Sequence, residues 1–218
     1  MKKELIFLGP PACGKGTQTN RLSEYLGFPH IDTGSLLRAE ISKGTPDGIV
    51  AKSFIDKGQL VPPDLVGSII KNRLAQEDCS NGYVLDGYPR SLAQAELLEK
   101  INSEIDKEKA NFKAIYFDID TELLIERIVN RQSCPSCGEI YNKKYKPSKI
   151  ENICDKCNVE LKTRADDTEE IARARFETYY RETAPLIEFY ENKGVLYKMN
   201  ANGSIDEVWQ RLTDIIKD

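Results

Sequence analysis

The sequence has no surplus of positive charge: 31 Lys and Arg stand against 35 Asp and Glu, a formal net charge of −4 at pH 7. General nucleic-acid binders draw their affinity largely from neutralised phosphates, so the balance argues against that class. Any phosphate site must be a local basic cleft in an acidic surround. No stretch approaches the ~20 apolar residues of a membrane span. The opening MKKELIFLGPP carries an apolar run interrupted by Glu4 and ended at Gly9, too short for the core of a secretory signal. The expected setting is the cytoplasm, with thiols reduced and with neither membrane nor nucleic acid as partner. Internal repeats and low-complexity tracts are absent. Histidine occurs once, at His30 in FPHIDTG, and reads as a satisfied loop residue rather than a base.

What is present suits one α/β domain with one or two insertions: 218 residues, 40% hydrophobic and 30% charged. Strand-type runs LIFL (5–8), YVL (83–85), AIYFDI (114–119) and VLYKM (195–199) alternate with amphipathic segments at 91–101, 121–130 and 205–216. The last places Ile205, Val208, Trp209, Leu212, Ile215 and Ile216 on one helical stripe. A long helix is expected over 168–193, entered through Asp167 with Glu170 as capping partner, kinked at Pro185 and capped by Gly194. Such alternation implies a parallel sheet with both faces covered and ligands at the carboxyl ends of its strands. Residues 32–61 and 130–167 fit the alternation poorly and read as insertions.

LIFLGPPACGKGTQTNRL sets Gly9, Gly14 and Lys15 in G-x-x-x-x-G-K spacing between a strand and a helix. Backbone N–H groups and a helix N-terminus then form an anion cradle, to which Lys15 adds a mobile positive charge. Pro10 and Pro11 have no N–H, so the cradle falls to Ala12, Cys13, Gly14, Lys15, Gly16 and Thr17. Gly16 stands where a Ser/Thr usually binds Mg²⁺, so the metal is expected to be held largely through water and phosphate. Cys13, at a helix N-terminus, is expected to carry a reactive thiol. Cys134, Cys137, Cys154 and Cys157 form two C-x-x-C pairs that, in a reducing compartment, favour one tetrahedral Zn²⁺ over disulfides. Reduced buried thiols are the alternative. Arg127 and Arg131, four apart on the expected helix, should project from one face, whereas Arg173 and Arg175 cannot share one.

G-K-G-T together with DTGSLLR (32–38), GQLVP (58–62), LDGYPRSLAQAE (85–96), ERIVNR (126–131) and TRADD (163–167), in that order, resembles the adenylate kinases, and most closely the long-lid bacterial type with a zinc-binding lid. The resemblance implies a P-loop kinase core with a parallel five-stranded sheet covered by helices (1–31, 62–129, 168–218), an NMP-binding insertion (32–61) and a zinc-binding lid (130–167). It implies reversible Mg²⁺-dependent transfer between ATP and AMP to give ADP, by a monomer. Lys15, Arg90, Arg127, Arg131, Arg164, Arg175 and Asp86 would serve catalysis, with Asp86 ordering the magnesium waters. Ile140, Tyr141 and Gly203 would join the loop and Arg127 and Arg131 around ATP. AMP would meet Thr33, Gly34, Arg38, Gln59, Leu60, Val61, Gly87, Tyr88, Pro89, Arg90, Gln94, Arg164 and Arg175, the Gln94 amide pairing with both a donor and an acceptor on adenine. Family members often have Ser-Thr-Gly-Asp where this chain has Asp32-Thr33-Gly34-Ser35, and Asn142 replaces a common histidine. UMP/CMP kinases tend to carry alanine at the place of Thr33, so Thr33 with Gln94 favours AMP. A zinc-ribbon nucleic-acid module fused to an NTPase is the rival class, and the charge balance opposes it. A P-loop GTPase or small-molecule kinase leaves Arg38, Arg90 and Gln94 together unexplained.

Overall fold

The computed structural model describes residues 2–105, 111–121 and 124–217. Five parallel strands make the central sheet: β1 (Lys3–Leu8), β2 (His30–Asp32), β3 (Gly82–Asp86), β4 (Asn111–Asp118) and β7 (Leu196–Asn200), in the order β2-β3-β1-β4-β7. β1 lies at the centre and is buried on both faces, as its unbroken apolar run requires. Ile6 and Leu8 enter one core with Ile31, Leu85 and Ala114; Leu5 and Phe7 enter the other with Val84, Ile115 and Phe117. Helices α4 (Pro63–Leu74), α5 (Leu92–Ile105) and α8 (Pro185–Asn192) cover the first face. Helices α1 (Lys15–Leu26), α7 (Glu169–Thr178) and α9 (Ile205–Lys217) cover the second. Among the described residues no helix is long and apolar enough to cross a membrane.

Two irregular segments interrupt the alternation of strands and helices. Residues 32–61 hold α2 (Thr33–Lys43) and α3 (Pro46–Ile55); Asp32 caps α2 by accepting from Gly34 N and Ser35 N, both at 3.1 Å. The second segment holds a two-stranded antiparallel sheet, β5 (Arg131–Ser133) and β6 (Ile140–Asn142).

Four sequence expectations need correction. His30 is not in a loop: it opens β2, a strand too short for the apolar pattern to reveal. The helix expected over 121–130 is α6 (Leu124–Val129), with Glu122 and Leu123 outside the described residues; Arg127 lies on it but Arg131 begins β5, so the two do not share a helical face. The helix over 168–193 is capped by Thr168, whose hydroxyl accepts from Ile171 N at 3.3 Å, while Asp167 turns inward. That helix also does not simply kink at Pro185. It widens into a π turn over Tyr179–Thr183, closed by Ala184 N to Tyr179 O at 2.8 Å, and α8 restarts at the proline. The wider turn suits a ring that lacks an N–H and crowds the carbonyl four residues back. On α9, Ile205 is exposed at the rim, whereas Val208, Leu212 and Ile216 are buried.

Candidate active site

The loop after β1 turns sharply at three positions. A side chain on Gly9 would stand 3.1 Å from Cys13 Sγ and from the Phe117 backbone oxygen, and Ala12 and Gly14 have φ of +60° and +96°. No side chain caps α1 at Gly14, so the first N–H groups of the helix face the cavity rather than a protein acceptor. Lys15 folds over the loop, its Nζ donating to Gly9 O at 2.7 Å and Pro10 O at 3.0 Å. Register places Asp86, the last residue of β3, opposite Phe7, directly beside the loop. Its Oδ2 accepts from the Thr19 hydroxyl at 3.3 Å and lies 3.8 Å from His30 Nε2. That nitrogen is buried without a hydrogen-bond partner, so His30 is not the satisfied residue expected.

A cavity of about 1230 Å³ runs from this loop to the first turn of α2. One pocket for a small ligand typically holds ~300–1,000 Å³, so this one has room for more than a single nucleotide. Arginines line it from several elements, among them Arg38 on α2, Arg90 from the turn after β3, Arg127 on α6, Arg131 at the start of β5, Arg164 before α7 and Arg175 on α7. Burial lowers the pKa values of Arg38, Arg90, Arg164 and Arg175; at Arg164 and Arg175 the neighbouring arginines are the next cause, and these two fall to about 10 and about 9. Arg90 is open to water in the cavity, yet protein surrounds that water, and enclosure is its largest cause. Four acids hold the cluster together. Asp167, whose side chain has no exposed surface, accepts from Arg131 Nε at 2.8 Å and Arg175 Nη1 at 3.1 Å. Asp166 pairs with Arg175, Asp32 pairs with Arg38 at 3.2 Å, and Asp86 attracts Arg90.

On the other side of the cluster, Gly58, just before residues 59–61, is pressed to α7. A side chain at Gly58 would meet Ala174 Cβ at 3.0 Å and the Ile171 carbonyl at 3.1 Å, and the Thr178 hydroxyl donates to Gly58 O at 3.1 Å. Gln94 is buried, and its Oε1 already accepts from Arg90 N at 2.7 Å, leaving Nε2 as its free donor. Arg90 Nε donates to Gly87 O at 2.7 Å, and a side chain on Gly87 would stand 2.8 Å from Arg90 Nη2. Thr33 Oγ1 is buried without a partner.

The four cysteines converge at the far end. Cys134, Cys137, Cys154 and Cys157 have sulfurs all within 4.8 Å of one another, and Cys137 and Cys154 are 3.7 Å apart. Tetrahedral Zn–S bonds of ~2.3 Å place sulfurs about 3.8 Å apart, so the cluster fits that ion. The residue after each pair, Gly138 or Asn158, has φ of +74° or +55°, turning each C-x-x-C into a knuckle. Each knuckle closes by matching bonds, Gly138 N to Cys134 O at 3.0 Å and Asn158 N to Cys154 O at 2.9 Å. Burial alone would raise the Cys154 thiol, but hydrogen bonds from the Tyr141 hydroxyl and the N–H groups of Lys156 and Cys157 bring it down to about 6. β6 reaches the phosphate loop: a side chain on Gly16 would come within 3.2 Å of Ile140 Cδ1.

A family model described as adenylate kinase matches residues 7–195. The chain is 46% identical over 213 residues to an adenylate kinase of Thermodesulfovibrio yellowstonii, covering 98% of each chain. It is 45% identical to one from Archaeoglobus fulgidus (98% of this chain, 97% of that one) and 44% identical to one from Clostridium novyi (98% of each).

The chain belongs to the adenylate kinase family. Most of the residues that its motifs single out face the one cavity, including Ala12, Gly14, Lys15, Gly16, Thr17, Gly34, Leu60, Val61, Pro89, Ile140 and Gly203. One such position turns away: Tyr88 is fully buried, so only its backbone can face an acceptor. Tyr141 lines the cavity while only 3% exposed, with its hydroxyl 3.6 Å from Cys154 Sγ. Cys13 is only 3% exposed; it sits at the cavity wall, where its Sγ accepts from Lys15 Nζ at 3.3 Å. Arg173 pairs with Glu169 on the exposed face, leaving α7's inward place to Arg175. Gly203 is held free of a side chain by Glu207, whose Oε2 would lie 2.8 Å away while it accepts from Ser204 N. Sequence reasoning missed Thr19 and the inward role of Asp167. Thr19 lies one helical turn after Lys15, and Asp167 follows an arginine in TRADD; those spacings are the only signals either offered.

Proposed function

We propose that the protein transfers a phosphoryl group reversibly between ATP and AMP, with Mg²⁺, in a direct in-line step that yields two ADP. The observation that carries this reading is the convergence of Lys15 and six arginines on one cavity large enough for two nucleotides. Phosphoryl transfer spreads negative charge over the moving group, so fixed cations and exclusion of water supply most of the catalysis. An AMP phosphate oxygen is already anionic, so no general base is called for.

In this reading the α1 N-terminus and residues 12–17 cradle the ATP phosphates, and Lys15 leaves Gly9 O and Pro10 O to follow the phosphoryl group. Arg127, Arg131, Ile140 and Gly203 border the ATP end. Arg38 and Arg90 clamp the monophosphate, Gln94 Nε2 and the 59–61 strip take the adenine, and Arg164 and Arg175 span the two phosphate chains. Mg²⁺, when bound with ATP, neutralises phosphate charge; Asp86, supported by Thr19, would orient its waters. Zinc in the four thiolates leaves no open coordination position and would be structural. Residues 1–31, 62–129 and 168–218 form the core, 32–61 the acceptor lobe and 130–167 the lid that shuts out water. Free thiols suit the cytoplasm, and a monomer suffices because one copy supplies every residue named.

The test is ADP formation from ATP with AMP, UMP, CMP or GMP as acceptor. AMP should be preferred at least tenfold; a pyrimidine preference would favour the UMP/CMP kinase reading, and no turnover with any monophosphate refutes the proposal.

A further inference from the structure

We propose that Asp32 acts through Arg38 as a built-in counter-anion, which an incoming monophosphate must displace, so that the acceptor site rejects free phosphate and accepts phosphate joined to a base. The inference rests on the acceptor role proposed for Arg38. Asp32 ends β2 and caps α2, where its carboxylate already accepts from Gly34 N and Ser35 N and from the Ser35 hydroxyl. It also takes Arg38, whose Nη2 donates both to Asp32 Oδ2 at 3.2 Å and to Ser35 Oγ at 3.0 Å.

The guanidinium is thereby folded back across its own helix's first turn. A side chain on Gly34 would stand 2.9 Å from Arg38 Nη1. The pair is half-buried, and both residues line the cavity. Burial alone would raise the pKa of Asp32, but Arg38, Ser35 and Arg164 hold it below the ordinary carboxylate value, so the group is charged at any working pH. Its field also reaches Arg90 and Arg164. One carboxylate therefore lowers the positive potential on three of the cations proposed to meet the acceptor.

A phosphate reaching Arg38 must share it with a fixed negative charge or take its place. Free phosphate has only the cations to draw on. A nucleoside monophosphate also gains the Gln94 and 59–61 contacts, which offset the exchange. Raising the threshold for any anion thus costs the intended acceptor less, in relative occupancy, than it costs bare phosphate. With serine at position 32 and Ser35 unchanged, the cap would survive and the charge would not.

The experiment uses Asp32→Asn, which keeps a side-chain cap, with Asp32→Ser as a second capped variant should the first fold poorly. Inorganic phosphate is titrated by calorimetry, and AMP kinetics are measured with phosphate as competitor. The expected result is phosphate binding strengthened by about tenfold and KM for AMP lowered by about three- to tenfold, with kcat moving less than KM. Unchanged phosphate affinity, or a higher KM for AMP, would show that Asp32 merely caps α2 or orients Arg38, and overturns the proposal. Failure of the parent protein to turn over AMP would instead sink the functional reading, while the calorimetric titration would still report on Asp32.

Discussion

Replacing Asp167 by Asn removes the charge that holds two arginines in place. The carboxylate has no exposed side-chain surface and accepts from Arg131 Nε at 2.8 Å and Arg175 Nη1 at 3.1 Å. Asn keeps one acceptor oxygen, but its amide NH₂ then points at a guanidinium, and the two cations lose their screen. Removing one partner of a buried pair costs about 3–5 kcal/mol. Water in the adjacent cavity can relax the arginines, which places the expected loss near the lower end, about 3 kcal/mol. For a protein of this size each kcal/mol lowers Tm by ~2–4 °C, so calorimetry should show a fall of roughly 6–12 °C. Urea unfolding of Asp167→Asn, Arg175→Met and the double variant then isolates the coupling, because the double variant has one less cation to satisfy. The double variant should be more stable than the two single losses added together. A loss below about 1 kcal/mol, or strict additivity, would refute the idea that Asp167 neutralises the cluster.

Chelating the metal from the four-cysteine site should lower the melting temperature and expose the 143–152 turn to protease while the sheet persists, since a closed thiolate site supplies ~10 kcal/mol or more to a small domain; unchanged melting would remove the case for zinc. Alkali should also unfold the protein cooperatively. Burial raises the phenols of Tyr83, Tyr88, Tyr179 and Tyr190 above their ordinary value. Each therefore contributes stability that is full below about pH 10 and lost above it, by ~1.4 kcal/mol per pH unit per group as the unfolded chain ionises first. Phenolate absorbance and far-UV circular dichroism should change together, and phenolate appearing well before unfolding would contradict this.

Elements long enough to show a period were legible in the sequence, and those made by contact were not. β1, β3 and β4 declare themselves as apolar runs, and α9 by its stripe, because one or both faces must be buried. The three residues of β2 show no period and exist because β3 pairs with them. Arg127 and Arg131 read as one helix since ERIVNR fits that pattern, yet the chain must leave α6 to begin the lid. The phosphate loop and the cysteine pairs were legible from spacing, because their chemistry depends on backbone turns. The acids were not. Asp167 looks like a helix cap in the sequence and Asp32 like an exchanged residue beside Thr33; their pairing with arginines shows only in three dimensions.

Those acids also explain why the closed arrangement calls for a ligand. Around the cavity, basic side chains outnumber Asp32, Asp86 and Asp166 even with the adjoining Asp167 added, and the arginines depress one another's pKa values. Like charges held together oppose closure unless an anion joins them. Arg164 and Arg38 come from the segments proposed as lid and acceptor lobe, so on that proposal bringing the two together would raise the repulsion. Phosphates bound between them would convert that repulsion into attraction and so favour closure. A chain built with fewer internal carboxylates would bind phosphate more tightly but would also resist closing without it. Asp167, fixed among the arginines, and Asp32, replaceable at the rim, divide those two tasks between them.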